Sequence, residues 1–271
     1  NNQGGSILEE RVYKENLKRM ILEMAQDEIS NYSSQKGVQK YFEGNIDKII
    51  NEKIKSPGSD SGGFLTKEFS GDPGENVMKI INIGSLNIDR IYGVEHFVQP
   101  GETIKVRTYS EACGGKGLNQ SIAAARSGAE VHHAGAVGSD GGMLLEILRI
   151  SGVHTGKTKI LSGASGHAVI QVDKNGQNNI MICGGANDAV SMGMIDDALR
   201  EISEGDIVLL QNEISNVGYA VEQAKKAGAK IALNPSPVNE NLKTIPMDLI
   251  DYFILNEIEG KEISGAESEE P

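Results

Sequence analysis

Asn87 and Asp89, Asn212 and Glu213, Asn234, and Asn256 with Glu257 and Glu259 each follow a short apolar run, so acids and amides recur where β-strands would end. In an open parallel sheet, ligands bind outside the carboxyl ends of the strands. Carboxylates accept from adjacent hydroxyls, and amides both donate and accept. Such groups converging on one sheet edge suit a hydroxyl-rich small molecule. The sharpest stretch is CGGKGLNQS, in which Gly114, Gly115 and Gly117 surround Lys116 ahead of an Ala-rich helix. Glycines let a backbone approach its ligand, the first amides of a helix lack intrahelical partners, and Lys116 and Asn119 add donors. Gly-rich loops also serve purely as turns, so composition alone leaves both readings open.

Two nucleotide motifs fail on spacing. SGVHTGKT, ending at Lys157 and Thr158, is one residue short of a P-loop and follows a helical pattern, so Lys157 is expected in a turn. After IINIG comes SLNIDR, which lacks the later glycines of a dinucleotide fingerprint, and a nicotinamide-dependent oxidoreductase is disfavoured. His132 and His133 read as structural or exposed, with no third ligand beside them. His167 opens a segment that could cover the site. Cys113 borders the Gly-rich loop, where Lys116 could perturb it, although small buried packing is the commoner fate of a free thiol.

A net charge of -12 argues against a nucleic-acid partner, which needs a basic surface that releases counterions. Cys113 and Cys183 show neither metal-ligand nor disulfide spacing, which fits a cytoplasmic protein. No export signal opens the sequence, and no apolar run approaches the roughly 18 residues of a membrane span.

The elements that must position these residues alternate. KIINIG, VHHAGAVG, DIVLLQ, KIALNP and DYFILN read as strands; GLNQSIAAARSGAE and GGMLLEILRISG read as helices, the first ending at a Gly128 cap. That order predicts an α/β domain with a mostly parallel sheet flanked by helices. FVQPGETIKVRTYSEA and HAVIQVDKNGQNNIMI alternate apolar and polar residues and predict a small separate sheet, with Asn175-Gly176 turning a hairpin. Before Met78, the stretches 7–29 and 38–54 have amphipathic helical spacing, and Pro and Gly in 56–77 mark a flexible linker. Domain boundaries are therefore expected as a helical extension over 1–55, a linker over 56–77 and one domain over 78–271, its small-sheet segments near 93–112 and 166–184. The extension could dock a partner.

Taken in order, MKIINIGSLNIDRIY, CGGKGLNQSIAAARSGAEVHHAGAVGSDGG, GHAVIQVDKNGQNNIMICGGAN, LLQNEIS, NPSP and ILNEIEG resemble the PfkB family of carbohydrate kinases, and within it the ribokinase-like branch. The resemblance implies a ribokinase-like central sheet with a β lid that often forms homodimers. It implies that Asn87 and Asp89 hold sugar hydroxyls, that Gly115, Lys116 and Asn119 complete the cradle, and that Glu213 contacts the sugar. Asn256 would lie on the nucleotide side, and Glu259, as part of the family's NxxE pattern, would organise Mg2+ and phosphate. The implied reaction transfers the γ-phosphoryl group of ATP to the 5-hydroxyl of D-ribose, with a monovalent cation (K+) expected in the complete family member. The family's catalytic base is the Asp of a GAGD motif, which does not occur in this sequence. A truncated chain, inactive alone, is the resulting expectation; a non-catalytic sugar-binding protein is the alternative.

Overall fold

The computed structural model describes residues 78–265. The expectations for the helices and linker before Met78 lie outside the described residues. Strands β1 (Lys79–Ile83), β4 (Glu130–Val137), β5 (His154–Ile160), β8 (Ile207–Gln211), β9 (Lys230–Asn234) and β10 (Tyr252–Phe253) form one sheet in the order β10-β9-β8-β1-β4-β5. Every neighbouring pair in it is parallel. From β1 the chain steps outward through β4 to β5, then returns to β8 on the other side of β1. The carboxyl ends of β1 and β8 therefore flank the topological switch point, where a crevice opens in such sheets.

The five strands read from apolar runs are all present, because a sheet covered on both faces needs continuous apolar strands. Helices α1 (Lys116–Arg126) and α2 (Gly142–Ile150) cover one face, where Leu118, Ile122, Leu144 and Leu148 pack with Ile80, Val131 and Leu209. Helices α3 (Met192–Leu199) and α4 (Val217–Lys226) cover the other, where Ile195, Val217 and Val221 pack with Ile81, Ile83, Val208 and Ile231. Burying one such aliphatic side chain contributes about 1.5–3 kcal/mol. Gly128 caps the end of α1 at φ 93°, as its position suggested.

The small sheet contains β2 (Asn87–Gly93), β3 (Thr108–Gly114), β6 (Gly166–Val172) and β7 (Asn178–Cys183) in the order β3-β2-β6-β7. The central β2 and β6 are parallel and the outer pairs antiparallel. The hairpin at Asn175-Gly176 closes on an Asp173 N–H bond to the Gln177 carbonyl at 2.9 Å, with Gly176 at φ 78°. The Asp173 carboxylate accepts from the N–H groups of Asn175 and Gln177 and fixes that turn.

Three expectations need correction. The segment beginning at Phe97 becomes a strand only at Thr108, because Pro100 has no N–H and Gly101 turns the chain at φ 79°. Lys157 lies within β5 and not in a turn. This edge strand is polar and held by its pairing to β4, so it carries little of the apolar signal that reveals a strand. Asn87 and Asp89 do not sit beyond β1 as loop residues; they belong to β2 and thus to the lid.

Candidate active site

Only Gly84, Ser85 and Leu86 separate β1 from β2, so the chain leaves the main sheet and enters the lid at the switch point. The Gly-rich loop folds against this crossing. Ser85 accepts at its main-chain oxygen from the Leu118 N–H at 3.0 Å, and its Oγ accepts from the Gly117 N–H at 3.2 Å. A Cβ on Gly117 would lie 2.4 Å from the Ser85 nitrogen, so contact this close requires glycine. Gly115, at φ 97°, takes a backbone conformation that residues with a side chain rarely adopt.

Glu213, two residues beyond β8, gathers these parts. Its Oε2 accepts from Ser85 Oγ at 2.5 Å and from the Lys116 N–H at 3.0 Å, while its Oε1 accepts from Lys116 Nζ at 3.0 Å. The carboxylate is mostly shielded from solvent, and hydrogen bonds to a charged group in such surroundings are stronger than neutral ones. The resemblance assigns Lys116 and Glu213 to the sugar from different parts of the chain, and the structure brings the two into contact.

Asp89 sits opposite Ala112 on β3, and its carboxylate lies over the bare Cα of Gly114, where a Cβ would come within 2.2 Å of Oδ2. Burial, and then the nearby Glu213 charge, push its pKa up to about 6. Asn87 is buried, and its Oδ1 accepts from Asn187 Nδ2 at 2.8 Å, a bond that leaves its own amide NH2 able to donate elsewhere. Asn119 is half-buried in the first turn of α1. A cavity of about 690 Å³ opens beside this cluster, and of the sugar-side residues expected from sequence it reaches Asn87 and Glu213.

Sequence reasoning missed Asn187. Its Oδ1 accepts from the Leu86 N–H at 3.0 Å while its Nδ2 bonds Asn87, which fastens the 3₁₀ turn Gly185–Ala189 to the start of β2. The signal was the glycine pair before it, the same punctuation that precedes Lys116. A second unforeseen feature lies beneath the loop. Asn82, inside the apolar β1, donates to the Gly117 carbonyl at 2.7 Å and to Ser121 Oγ at 2.8 Å, and its Oδ1 accepts from Gln211 at 3.0 Å. The chain continues through Ser121 to His133 Nδ1 at 2.8 Å. His133 is fully buried, and desolvation lowers its pKa to about 4.

The other strand-end residues separate from this cluster. Asn212 donates to the Pro237 carbonyl and to Asn239, and Asn234 accepts from the Ser236 N–H, so both organise the loop after β9. Asn256 and Glu259 form a reciprocal capping box on α5 (Glu257–Ser264), with bonds of 2.9 and 3.2 Å. They lie at the far edge, two strands from β8, roughly 10 Å away at ordinary strand spacing. Their capping bonds join them to each other and not to the cluster around Glu213.

Burial and then Asp89, not Lys116, perturb Cys113, and both raise its pKa, so the thiol stays protonated. His167 on β6 contacts the Ser165 carbonyl at 3.2 Å. Lys157 pairs with Glu201 at 3.3 Å. His133 is buried away from His132, while strand pairing places His154 against His132 with Glu130 alongside, a proximity that the sequence spacing did not suggest.

Residues 78–271 match the family model described as pfkB family carbohydrate kinase. The ribokinase of Haemophilus influenzae is 37% identical over 190 residues, covering 68% of this chain and 62% of that protein. A deoxyribokinase of Salmonella typhi is 33% identical over 193 residues, covering 69% of this chain and 63% of that protein. The solved structure of Arabidopsis thaliana ribokinase complexed with ribose and ATP matches with a TM-score of 0.60 at 30% identity, covering 72% of this chain and 65% of that one. The chain thus spans less than two thirds of the length of these relatives.

Proposed function

The chain belongs to the pfkB family of carbohydrate kinases, and on that premise we propose that residues 78–265 form the sugar-binding half of an ATP-dependent phosphotransfer to the 5-hydroxyl of D-ribose. The observation that carries the proposal is the junction of Ser85, Lys116 and Glu213 at the switch point, with the Asp89 carboxylate beside it. Asp89 is mostly ionised at neutral pH and accepts from adjacent sugar hydroxyls. The Asn87 amide donates to a ring or hydroxyl oxygen, and Gly115, Lys116 and Asn119 line the opposite side. Glu213 holds Lys116 in place and closes the cradle. Positioning is the main contribution these residues make to phosphoryl transfer.

ATP would supply the phosphoryl group, and Mg2+ would neutralise charge between the phosphates. On the nucleotide side we assign Asn256 and Glu259. The capping bond occupies one Glu259 carboxylate oxygen, and oxygen donors of this kind suit Mg2+, commonly through water. A monovalent cation (K+) is proposed for the complete enzyme, and nothing among the described residues is assigned to it. No GAGD sequence occurs here, and Asp89 and Glu213 are committed to the cradle. A polypeptide of these 271 residues is therefore proposed to bind ribose without phosphorylating it. Rapid ATP-dependent turnover by that polypeptide would refute this.

The deoxyribokinase relative favours a second reading, in which 2-deoxyribose is the substrate. Calorimetric titration with ribose and with 2-deoxyribose separates the two. Preference for the sugar bearing the 2-hydroxyl supports ribose, equal or reversed preference supports deoxyribose, and binding of neither removes both. The edge strand β7 exposes Ile180, Met181 and Ile182 at 48%, 57% and 61%. We propose that the lid self-associates through this strand, because an edge strand with unpaired backbone groups and exposed apolar side chains is a template for pairing with a second chain. Sedimentation showing monomers at all concentrations would exclude it. No helix among the described residues is long and apolar enough to cross a membrane. The free Cys113 and Cys183 suit a proposed cytoplasmic setting.

A further inference from the structure

At the opposite rim of the main sheet from the sugar-side cluster, β4 begins with Glu130 and carries His132 two residues later, on the same side of the strand. His132 is the Cα partner of His154 at the start of β5. The two imidazoles stack with centroids 4.6 Å apart and ring planes 21° apart, and Glu130 Oε1 lies 3.1 Å from His132 Nε2. One ligand atom from each of the three residues lies within 4.8 Å of the others.

We propose that Glu130, His132 and His154 bind a divalent transition-metal ion of the zinc type. Around tetrahedral zinc, with bonds of about 2.0–2.2 Å, ligand atoms sit roughly 3.3–3.6 Å apart, so binding turns the two imidazoles out of their stack until a ring nitrogen of each faces the ion. The ion replaces the direct contact between Glu130 and His132. Two imidazole nitrogens and one carboxylate oxygen suit late first-row dications and not Mg2+, which demands a harder, mostly oxygen shell. Glu130 and His154 are exposed, which leaves a fourth position to water. The neighbouring Lys157 does not present an uncompensated positive charge, because Glu201 pairs with it at 3.3 Å. Two ligands lie on β4 and one on the edge strand β5, so the metal cross-links the outermost strand to its neighbour.

Calorimetric titration of the intact chain with zinc chloride, after removal of adventitious metal by a chelator, tests this. The expected result is one zinc per chain, weakened about tenfold or more in His154→Ala and in Glu130→Gln, with the His96→Ala control unchanged. Zinc should also raise the melting temperature of the parent chain and not that of His154→Ala. Since His154 and Glu130 are exposed, both variants should keep their far-ultraviolet circular dichroism, which is recorded alongside. Absence of zinc binding, or binding that His154→Ala and Glu130→Gln leave intact, would overturn the assignment. Equal affinity for magnesium would also overturn it.

Discussion

Glu213 accepts both the main-chain N–H and the side-chain Nζ of Lys116, each at 3.0 Å, so a residue beyond β8 fixes a loop ninety-seven positions earlier in the chain. Ser85 Oγ reaches the same carboxylate and carries the linkage to the crossing from main sheet to lid. Replacing Glu213 by Gln should weaken ribose binding at least about tenfold, since a charge-assisted pair becomes a neutral one. It should also lower the pH midpoint of Asp89, because the Glu213 charge contributes to raising it. Calorimetry and carbonyl-carbon NMR titration of Asp89 read the two effects separately.

Asp89 and His133 give stability opposite pH slopes. Asp89 titrates near 6 when folded against 3.8 unfolded, so the folded state holds more protons between those values and stability falls as pH rises through them. His133 titrates near 4 against 6.5, so the folded state holds fewer protons and stability falls as pH drops from 6.5 to 4. The Asp89 contribution is about 1–2 kcal/mol after allowing for its partial exposure, and that of buried His133 about 3 kcal/mol. Asp89→Asn should therefore raise stability at pH 7 and steepen the loss on acidification, while weakening ribose binding. Melting temperatures between pH 4 and 7 would show this; an unchanged pH profile would contradict it.

Gly117→Ala should lower stability by about 1–3 kcal/mol and disrupt sugar binding, because its Cβ meets the Gly84 and Ser85 backbone, which has no flexible end to move. Gly142→Ala, at the start of α2 with open space around its Cβ, should be neutral or stabilise by a few tenths to about 1 kcal/mol. Chemical denaturation of the pair distinguishes steric exclusion from the general effect of removing a glycine.

Asn187→Ala should reduce ribose affinity about tenfold while Asn187→Asp retains part of it, because the aspartate still accepts from the Leu86 N–H. The alanine variant also releases the Asn87 amide to other rotamers. If both variants bind ribose like the parent, Asn187 does not position Asn87 for the ligand.

Asn256→Ala removes the side-chain half of the α5 capping box and should cost about 0.5–2 kcal/mol of helix stability. Faster hydrogen exchange confined to Glu257–Ser264 is the expected signature. Protection there equal to that of the parent would show that the cap contributes nothing.

The main sheet was legible because its buried strands are apolar runs long enough to stand out, as in KIINIG and DIVLLQ. β5 was not, since HTGKTKI is held by main-chain pairing at an edge and needs no apolar pattern. The site was legible as residue types near strand ends, but which ends meet is a matter of topology. Glu213 joins Lys116 because β8 returns beside β1, whereas Asn212 and Asn234 turn into local loop bonds. Asn82, Gln211 and His133 were hidden inside apolar strands, where the alternation between the two sheet faces gives no hint that one face carries a polar chain.

The three residues between β1 and β2 act as the fulcrum of a lever. Asn87 and Asp89 are part of the lid itself, so any tilt of the small sheet moves them relative to Lys116 at the start of α1 and Glu213 beyond β8. Reciprocity then follows from thermodynamic linkage. If the cradle binds sugar as proposed, a partner that holds the lid at one tilt changes sugar affinity by some factor, and bound sugar changes that partner's affinity by the same factor.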